Sequence, residues 1–144
     1  MRYTDIDLQI WDIRWFAVDK NGYIGAFTSG GSNVVPEFVC RSKEETEILE
    51  NYFLEYLKPS TACMFDAAYE DNDLMRDSEA LSQKGLFCFD RSEQAAANYD
   101  LLSYPQTPLS YVALPRYIRD LLESHKINND FTNAKTIQIG LPQA

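Results

Sequence analysis

The sequence has a single histidine, His125. A metal site built on histidines and a mechanism that needs two imidazoles are therefore excluded. A cysteine nucleophile paired with His125 would also need a third, orienting group, and nothing in the sequence places such a set together. Because His125 falls in the last turn of a predicted helix, we expect it to cap that helix at the negative end of its dipole.

Cysteine is scarce as well. The sequence has three, Cys40, Cys63 and Cys88. They are odd in number and widely spaced, and no C-x-x-C pair occurs, so neither a disulfide framework nor a thiolate metal site is indicated. Their neighbours are apolar, as in the run L-F-C-F at residues 86–89. We expect buried, reduced thiols that pack as small hydrophobic groups.

A calcium loop is also missing. The acidic run at residues 71–73 resembles the start of one, but such a loop needs glycine at its sixth position and glutamate at its twelfth. Those positions are Arg76 and Ser82. The sequence therefore predicts no metal and no cofactor.

Basic residues are few relative to acidic ones. The chain carries 13 Lys and Arg against 22 Asp and Glu, a formal net charge of −9. Clustered basic side chains bind phosphates and anionic lipids, so we expect neither nucleic acid nor a membrane as partner. No apolar run approaches the ~18 residues of a membrane helix. Acid also replaces the basic start of a signal peptide, and we expect a cytoplasmic protein.

What is present is typical of a globular domain. Hydrophobic residues make up 45% of the chain and aromatic residues 13%. A length of 144 residues suits one domain. Because helix and strand signals follow one another irregularly, we predict a single α+β domain over residues 1–144. It should have a mainly antiparallel sheet with about three helices packed on it.

The clearest local signal is a β-hairpin at residues 14–28. Its centre, Asn21-Gly22, favours a two-residue type I′ turn, in which both residues have positive φ. That turn would set Val18 opposite Gly25 and Phe16 opposite Phe27. Both faces carry large apolar side chains, so we expect the hairpin to lie in the centre of the sheet.

Three helices are predicted from their ends. The first begins with a capping box at Ser42, in which Glu45 reaches back, and ends at Lys58 before Pro59. The second covers residues 74–84 and ends at Gly85. The third has Pro115 as its first residue.

Further strands are predicted at residues 86–90, at residues 99–104 and over Ile137, Ile139 and Leu141, which alternate with polar residues. At residues 5–10, three aliphatic residues alternate with polar ones, which favours a half-buried strand and leaves a helix possible. We expect the glycine pair at residues 30–31 to form a turn, because no lysine follows to complete a phosphate-binding loop.

Two motifs resemble a known family. The run W-F-A-V-D-K-N-G at residues 15–22 and the run G-L-F-C-F-D at residues 85–90 carry the resemblance, with further matches at Tyr99, Tyr104, Pro105, Pro108, Leu114, Pro115 and Phe131. Their order and spacing resemble a family of small, uncharacterised bacterial cytosolic proteins, some of them in toxin–immunity contexts. The resemblance implies a single α+β domain and no particular activity.

Acidic residues supply the candidate binding sites. Four of them face a single base, Arg76, and they are Glu70, Asp71, Asp73 and Asp77. Such a run is either a solvated face or a surface that attracts a cationic partner. Asp19 and Asp90 both close predicted strands, and they either cap turns or share a site at one end of the sheet.

Three functions stay open on this sequence. The first is a non-catalytic protein-binding module, an immunity-type inhibitor of a cationic bacterial toxin, and no catalytic residue is assigned. The second is a small enzyme that uses carboxylates in a cleft near Asp19 and Asp90. The third is a structural domain without a ligand.

Overall fold

Six strands form one curled, mostly antiparallel sheet in the computed structural model, which describes residues 1–32, 34–66, 68–95 and 97–139. The strands are β1 (Arg14–Val18), β2 (Ile24–Thr28), β3 (Cys63–Phe65), β4 (Phe87–Arg91), β5 (Asn98–Pro105) and β6 (Thr136–Gln138). Their order is β1-β2-β4-β5-β3, and β3 and β6 divide the outer edge of β5 between them. Only β2 and β4 run parallel among these pairs.

Five α-helices accompany the sheet. They are α1 (Asp5–Ile10), α2 (Glu37–Cys40), α3 (Lys43–Asn51), α4 (Asp73–Ser82) and α5 (Arg116–Leu122). A π-helical turn, Tyr52–Tyr56, continues α3. The α+β class is confirmed, and the expected three helices are α3, α4 and α5. Two short helices, α1 and α2, add to them.

The turn of the β1–β2 hairpin differs from the expected one. Asp19 pairs with Tyr23, because its N–H donates to the Tyr23 carbonyl, so three residues form the loop instead of two. Oδ1 of Asp19 accepts the N–H groups of Asn21 and Tyr23, both at 2.9 Å. Gly22 has a φ of +82°, and no non-glycine residue that the structure describes has a positive φ. A type I turn followed by a left-handed glycine suits this arrangement better than type I′.

The longer loop shifts the strand register by one residue. Trp15 pairs with Phe27 and Phe16 with Ala26, so the predicted pairing of Phe16 with Phe27 is wrong. A shift of one residue exchanges the faces of a strand. The rings of Trp15 and Phe27 consequently stack on one face at 4.1 Å, while Phe16 packs against Phe53 on the other.

The two faces of the sheet carry separate cores. The longer helices α3, α4 and α5 cover the face of Phe16 and bury Leu49, Leu81 and Ile118. The short helices and the C-terminal segment cover the face of Trp15, where a cluster of aromatic rings packs together. That cluster contains Trp15, Phe27, Phe89, Tyr99 and Phe131.

Both faces of β1 are buried, yet β1 lies at the edge of the sheet instead of in its centre. His125 protects that edge, since its Nδ1 donates to the carbonyl of Phe16 at 2.9 Å. The next hydrogen bond comes from the N–H of Ile127 to the carbonyl of Val18. His125 is 1% exposed and burial lowers its pKa, and its ring binds β1 instead of capping the helix as expected.

Residues 5–10 form a helix, so the favoured strand prediction is wrong. The Thr4 hydroxyl accepts the N–H of Asp7, and the Asp7 carboxylate accepts the N–H of Thr4, which completes a capping box. Only Leu8 of the three aliphatic residues is buried, while Ile6 and Ile10 are exposed. With Leu8 alone buried, the burial pattern fits a helix as well as a strand, so it does not decide between them. The capping box decides in favour of the helix.

The ends of the longer helices follow the sequence signals closely. Ser42 caps α3 by accepting the N–H of Glu45, although the Glu45 carboxylate contacts Arg41 instead of reaching back. Gly85 ends the α4 segment with a φ of +103°. Pro115 occupies the N-cap of α5, one position before the helix.

The cysteines are free thiols, and the glycine pair at residues 30–31 forms a turn. Cys40 and Cys88 are buried free thiols as expected, whereas Cys63 on the edge strand β3 is partly exposed. Gly30 and Gly31 have φ values of +60° and +75° and form the predicted turn. The final strand ends at Gln138, and Leu141 lies outside the described residues.

Candidate functional site

Asp19 is fully engaged in holding two loops together. Besides the two hairpin N–H groups at Oδ1, its Oδ2 accepts the N–H of Phe131 at 2.9 Å, and the residue is 3% exposed. It borders an open cleft of about 590 Å³, which also contains Lys20, Tyr111 and Lys126. A carboxylate that receives three backbone hydrogen bonds is a structural cap, which is the first of its two predicted roles.

Asp90 lies at the other end of the sheet. It pairs with Thr28 across β4 and β2, and its Oδ1 accepts the Thr28 hydroxyl at 2.6 Å. Burial raises the pKa of Asp90 above its ordinary value. Asp19 pairs with Tyr23 just before β2, whereas Asp90 pairs with Thr28 at the end of β2. The two pairs are thus separated by the length of β2, about 17 Å. The structure therefore does not bring Asp19 and Asp90 together, although a site shared by the two was one of the two alternatives left open by the sequence.

Three of the four candidate acids stay together near the start of α4. Glu70, Asp71 and Asp73 are exposed. Asp71 and Asp73 both form ion pairs with Arg76, at 2.8 and 2.6 Å. Exposed pairs of this kind contribute little to stability, and they leave this end of α4 negatively charged.

Asp77 belongs to a different group. One turn after Asp73, its Oδ2 lies 3.3 Å from Nη2 of Arg14 on β1. The other guanidinium nitrogen of Arg14, Nη1, lies 3.6 Å from Oε2 of Glu50 on α3. The Arg14 side chain is 13% exposed, so β1, α3 and α4 meet at a largely buried guanidinium.

Negative charge exceeds positive charge around Arg14. Burial raises the pKa of Glu50, Arg14 opposes the rise, and nearby Asp77, Glu47 and Asp12 add to it. Two carboxylates thus pair with the guanidinium, and two more, Glu47 and Asp12, lie near enough to Glu50 to raise its pKa. We call this group the Arg14 cluster, and its members are Asp12, Arg14, Glu47, Glu50 and Asp77. An excess of carboxylates whose charges repel one another is a perturbed electrostatic site, and such sites favour a further cation.

A cleft of about 230 Å³ opens beside the Arg14 cluster, and we call it the Trp11 cleft. It is lined by Tyr3, Trp11, Asp12, Ile13, Arg14, Thr46, Glu47 and Glu50. Trp11 is 49% exposed, whereas Tyr3 and Thr46 are buried. Burial, followed by the charges of Glu47 and Glu50, raises the pKa of Tyr3 to about 12.

Two details of the Trp11 cleft concern cations directly. Nζ of Lys43 lies 5.0 Å from the centre of the Trp11 ring and 5.6 Å from that of Tyr3, and it is paired with Asp7 at 2.8 Å. The Thr46 hydroxyl is buried and has no hydrogen-bond partner among the residues that the structure describes. Aromatic faces, carboxylates and a free hydroxyl are the groups that bind an ammonium or guanidinium ion.

The Arg14 cluster and the Trp11 cleft contain residues that the sequence reasoning missed. The sequence did indicate that Glu47 and Glu50 lie together, because residues three apart share one side of a helix, here next to Thr46. Nothing in the sequence placed Trp11 or Arg14 beside them. Among the described residues, no group of three histidine, cysteine, aspartate or glutamate side chains is arranged to hold a metal ion.

Comparisons complete the description of the molecule. No family model, curated protein or solved structure matches the chain. None of the described helices has the length and apolar character needed to cross a bilayer. The family resemblance of the two sequence motifs therefore stays a prediction.

Proposed function

We propose that this protein is a non-catalytic binding module for a cationic protein, of the kind by which an immunity protein inhibits a bacterial toxin. The observation that carries the proposal is the Arg14 cluster, in which Glu50 and Asp77 pair with one guanidinium and Glu47 and Asp12 add negative charge near Glu50. The immunity role follows from the family resemblance of the sequence motifs. The cytoplasm is the compartment we propose for it.

The charge distribution supports a protein partner. A surface with one sign of charge attracts an oppositely charged protein over a distance and speeds its association. Asp73 and Asp77 are four residues apart on α4 and share one side of the helix. Through Asp77 and Asp73 the Arg14 cluster is therefore adjacent to the acids that precede α4, Glu70 and Asp71, and we call all these acidic residues together the acidic face.

The acidic face also has an aromatic anchor. Trp11 is half-exposed in the cleft beside the carboxylates. Partly exposed tryptophans surrounded by polar groups are typical of the residues that contribute most to protein–protein binding. The combination favours a stable interface over a purely long-range attraction.

Affinity capture with a charge-reversed variant tests this function. The tagged protein, Glu47→Lys and Asp120→Lys are each used to capture proteins from a lysate of the source cells. Asp120 is an exposed residue of α5 outside the acidic face, so its reversal is the matched control. We expect one cationic protein to bind the wild type and Asp120→Lys at a one-to-one ratio and to be lost from Glu47→Lys.

A captured protein that binds all three forms equally would contradict the proposal. So would the absence of any stoichiometric partner, which would favour a structural domain without a ligand.

A further inference from the structure

We propose that the Trp11 cleft receives one arginine side chain of the cationic partner. This inference rests on the proposed function and specifies its central contact. The ligand group is a guanidinium, which is planar, always charged and able to donate five hydrogen bonds.

The groups that line the cleft match the chemistry of a guanidinium. The indole of Trp11 is 49% exposed and offers aromatic surface for a guanidinium beside the part that Lys43 covers. Glu47 and Glu50 supply carboxylate acceptors along the α3 side. Asp12 supplies another from the segment before β1. A guanidinium places two parallel N–H donors on a carboxylate and carries a positive charge; an ammonium lacks the planar paired donors and a urea lacks the charge.

Thr46 provides an observation independent of the acidic residues. Its side chain is 3% exposed and lines the cleft, and its hydroxyl makes no well-formed hydrogen bond with the described residues, although it is near enough to the Tyr3 hydroxyl to lower the pKa of Tyr3. A buried hydroxyl normally has a partner, because leaving it unpaired costs stability. A donor from a bound guanidinium would satisfy it, and Thr46 is therefore the residue that marks the floor of the site.

The protein's own Lys43 shows that this aromatic wall accepts a cation. Its ammonium lies over both Trp11 and Tyr3 and is held in place by Asp7. Arg14 is committed to Glu50 and Asp77, so neither internal cation satisfies Thr46.

The size of the cleft fits one side chain. A volume of about 230 Å³ corresponds to roughly seven or eight water-sized groups. An arginine side chain has seven non-hydrogen atoms. A folded segment of the partner would need a larger opening, so the partner inserts a single side chain.

Binding of short peptides tests the inference without knowledge of the partner. The probes are acetyl-Gly-Arg-Gly-amide, the lysine peptide, and the citrulline peptide, which has the shape of arginine without its charge. Trp15 is fully buried, so a change of tryptophan fluorescence on titration reports Trp11. We expect saturable binding of the arginine peptide, about tenfold tighter than that of the citrulline peptide and tighter than that of the lysine peptide.

Two variants locate the site. Glu47→Gln removes one carboxylate charge and Thr46→Val removes the hydroxyl at nearly constant volume, and we expect each to weaken the arginine peptide several-fold. Asp120→Asn and Thr107→Val make the same chemical changes at exposed positions elsewhere and should leave binding unchanged. Trp11→Phe removes the fluorescence signal but keeps an aromatic face in the cleft. Calorimetric binding of the arginine peptide to this variant therefore distinguishes loss of the signal from loss of the site.

Equal binding of the arginine and citrulline peptides would overturn the inference, and so would arginine binding that survives both Glu47→Gln and Thr46→Val. If a cationic protein is nevertheless captured in a Glu47-dependent manner, the proposed function stands and only the arginine site fails. If neither the arginine peptide binds nor a cationic protein is captured in a Glu47-dependent manner, the proposed function itself is contradicted.

Discussion

The backbone N–H of Phe131 donates a hydrogen bond of 2.9 Å to Oδ2 of Asp19, which ties the loop before β6 to the β1–β2 hairpin. The same carboxylate forms the hairpin loop through Asn21 and Tyr23. One side chain therefore determines the geometry of the hairpin and holds a distant segment against it.

Asp19→Asn should destabilise the protein by between about 2 and 4 kcal/mol, because an amide oxygen is a weaker acceptor and the amide nitrogen faces N–H donors. Urea unfolding measures the difference. Asp120→Asn, at an exposed position, should stay within about 0.5 kcal/mol of the wild type. An Asp19→Asn variant as stable as the wild type would mean that the three hydrogen bonds contribute no net stability.

Gly25 tests the packing of the same region. A Cβ there would lie 2.8 Å from the Phe131 ring and 2.9 Å from the Phe27 ring. Gly25→Ala should therefore cost about 1–3 kcal/mol through displaced aromatic rings. Gly22→Ala is strained for another reason, its positive φ, and leaves the aromatic near-UV circular dichroism unchanged. A native aromatic spectrum in Gly25→Ala would contradict the predicted displacement.

Lys84 holds the π-helical turn in place. Its Nζ donates to the carbonyls of Phe53 and Leu54 at 2.7 and 2.8 Å, and the residue is buried. Lys84→Met keeps the aliphatic stem and removes both donors, so we expect a loss of about 1–3 kcal/mol in thermal or urea unfolding. Lys58→Met, at an exposed position close by, is the control. Equal losses in the two variants would argue against a specific role for Lys84.

His125 predicts a dependence of stability on pH. Burial lowers the pKa of His125 below the value of 6.5 that it has in the unfolded chain. As the pH falls through 6.5, the unfolded chain binds the proton more readily than the folded protein. The free energy of unfolding should therefore decrease from pH 7 to pH 5, by at most about 2 kcal/mol from this residue.

Asp90 and Glu50 act in the opposite direction, because their raised pKa values make the folded protein bind protons more tightly as the pH falls. The contribution of His125 is isolated by comparison with His125→Asn, whose amide retains a donor for the Phe16 carbonyl. The difference between the two proteins in urea should grow smaller toward pH 5. A constant difference would show that His125 does not titrate differently in the folded state.

The acids at the start of α4 should affect the rate of binding more than the fold. Reversal of Asp71 and Asp73 to lysine removes exposed ion pairs with Arg76, so stability should change little. Association with the captured cationic partner should slow by about tenfold at low salt and lose much of its salt dependence. Stopped-flow measurements decide, and unchanged rates would mean that this end of α4 is only a solvated face.

Signals from neighbouring residues made much of the fold predictable. The cap at Ser42, the glycine at position 85 and the apolar run at residues 86–90 correctly indicated α3, the end of α4 and β4. The hairpin was also located, but its register was not. The Asp19 side chain lengthened the loop by one residue, and turn statistics based on the backbone do not include that effect.

The candidate site was less predictable than the fold. The sequence showed an acidic stretch, and the structure adds Asp77 to a cluster whose other members come from β1, α3 and the segment before β1. Contacts between Arg14 and residues of two helices depend on tertiary packing, which local patterns do not encode. Trp11 in turn is a surface residue, and the sequence contained no sign that it lines a cleft.

The parallel pairing of β2 with β4 has a consequence for how the chain folds. Each of the hairpins β1–β2 and β4–β5 can form from residues that are close in sequence, whereas the pairing between them joins segments about sixty positions apart. Bringing the hairpins together therefore costs more chain entropy than forming either one. This docking step should limit the folding rate, and it brings together the rings of Phe27 and Phe89, which stack across the junction at 4.8 Å.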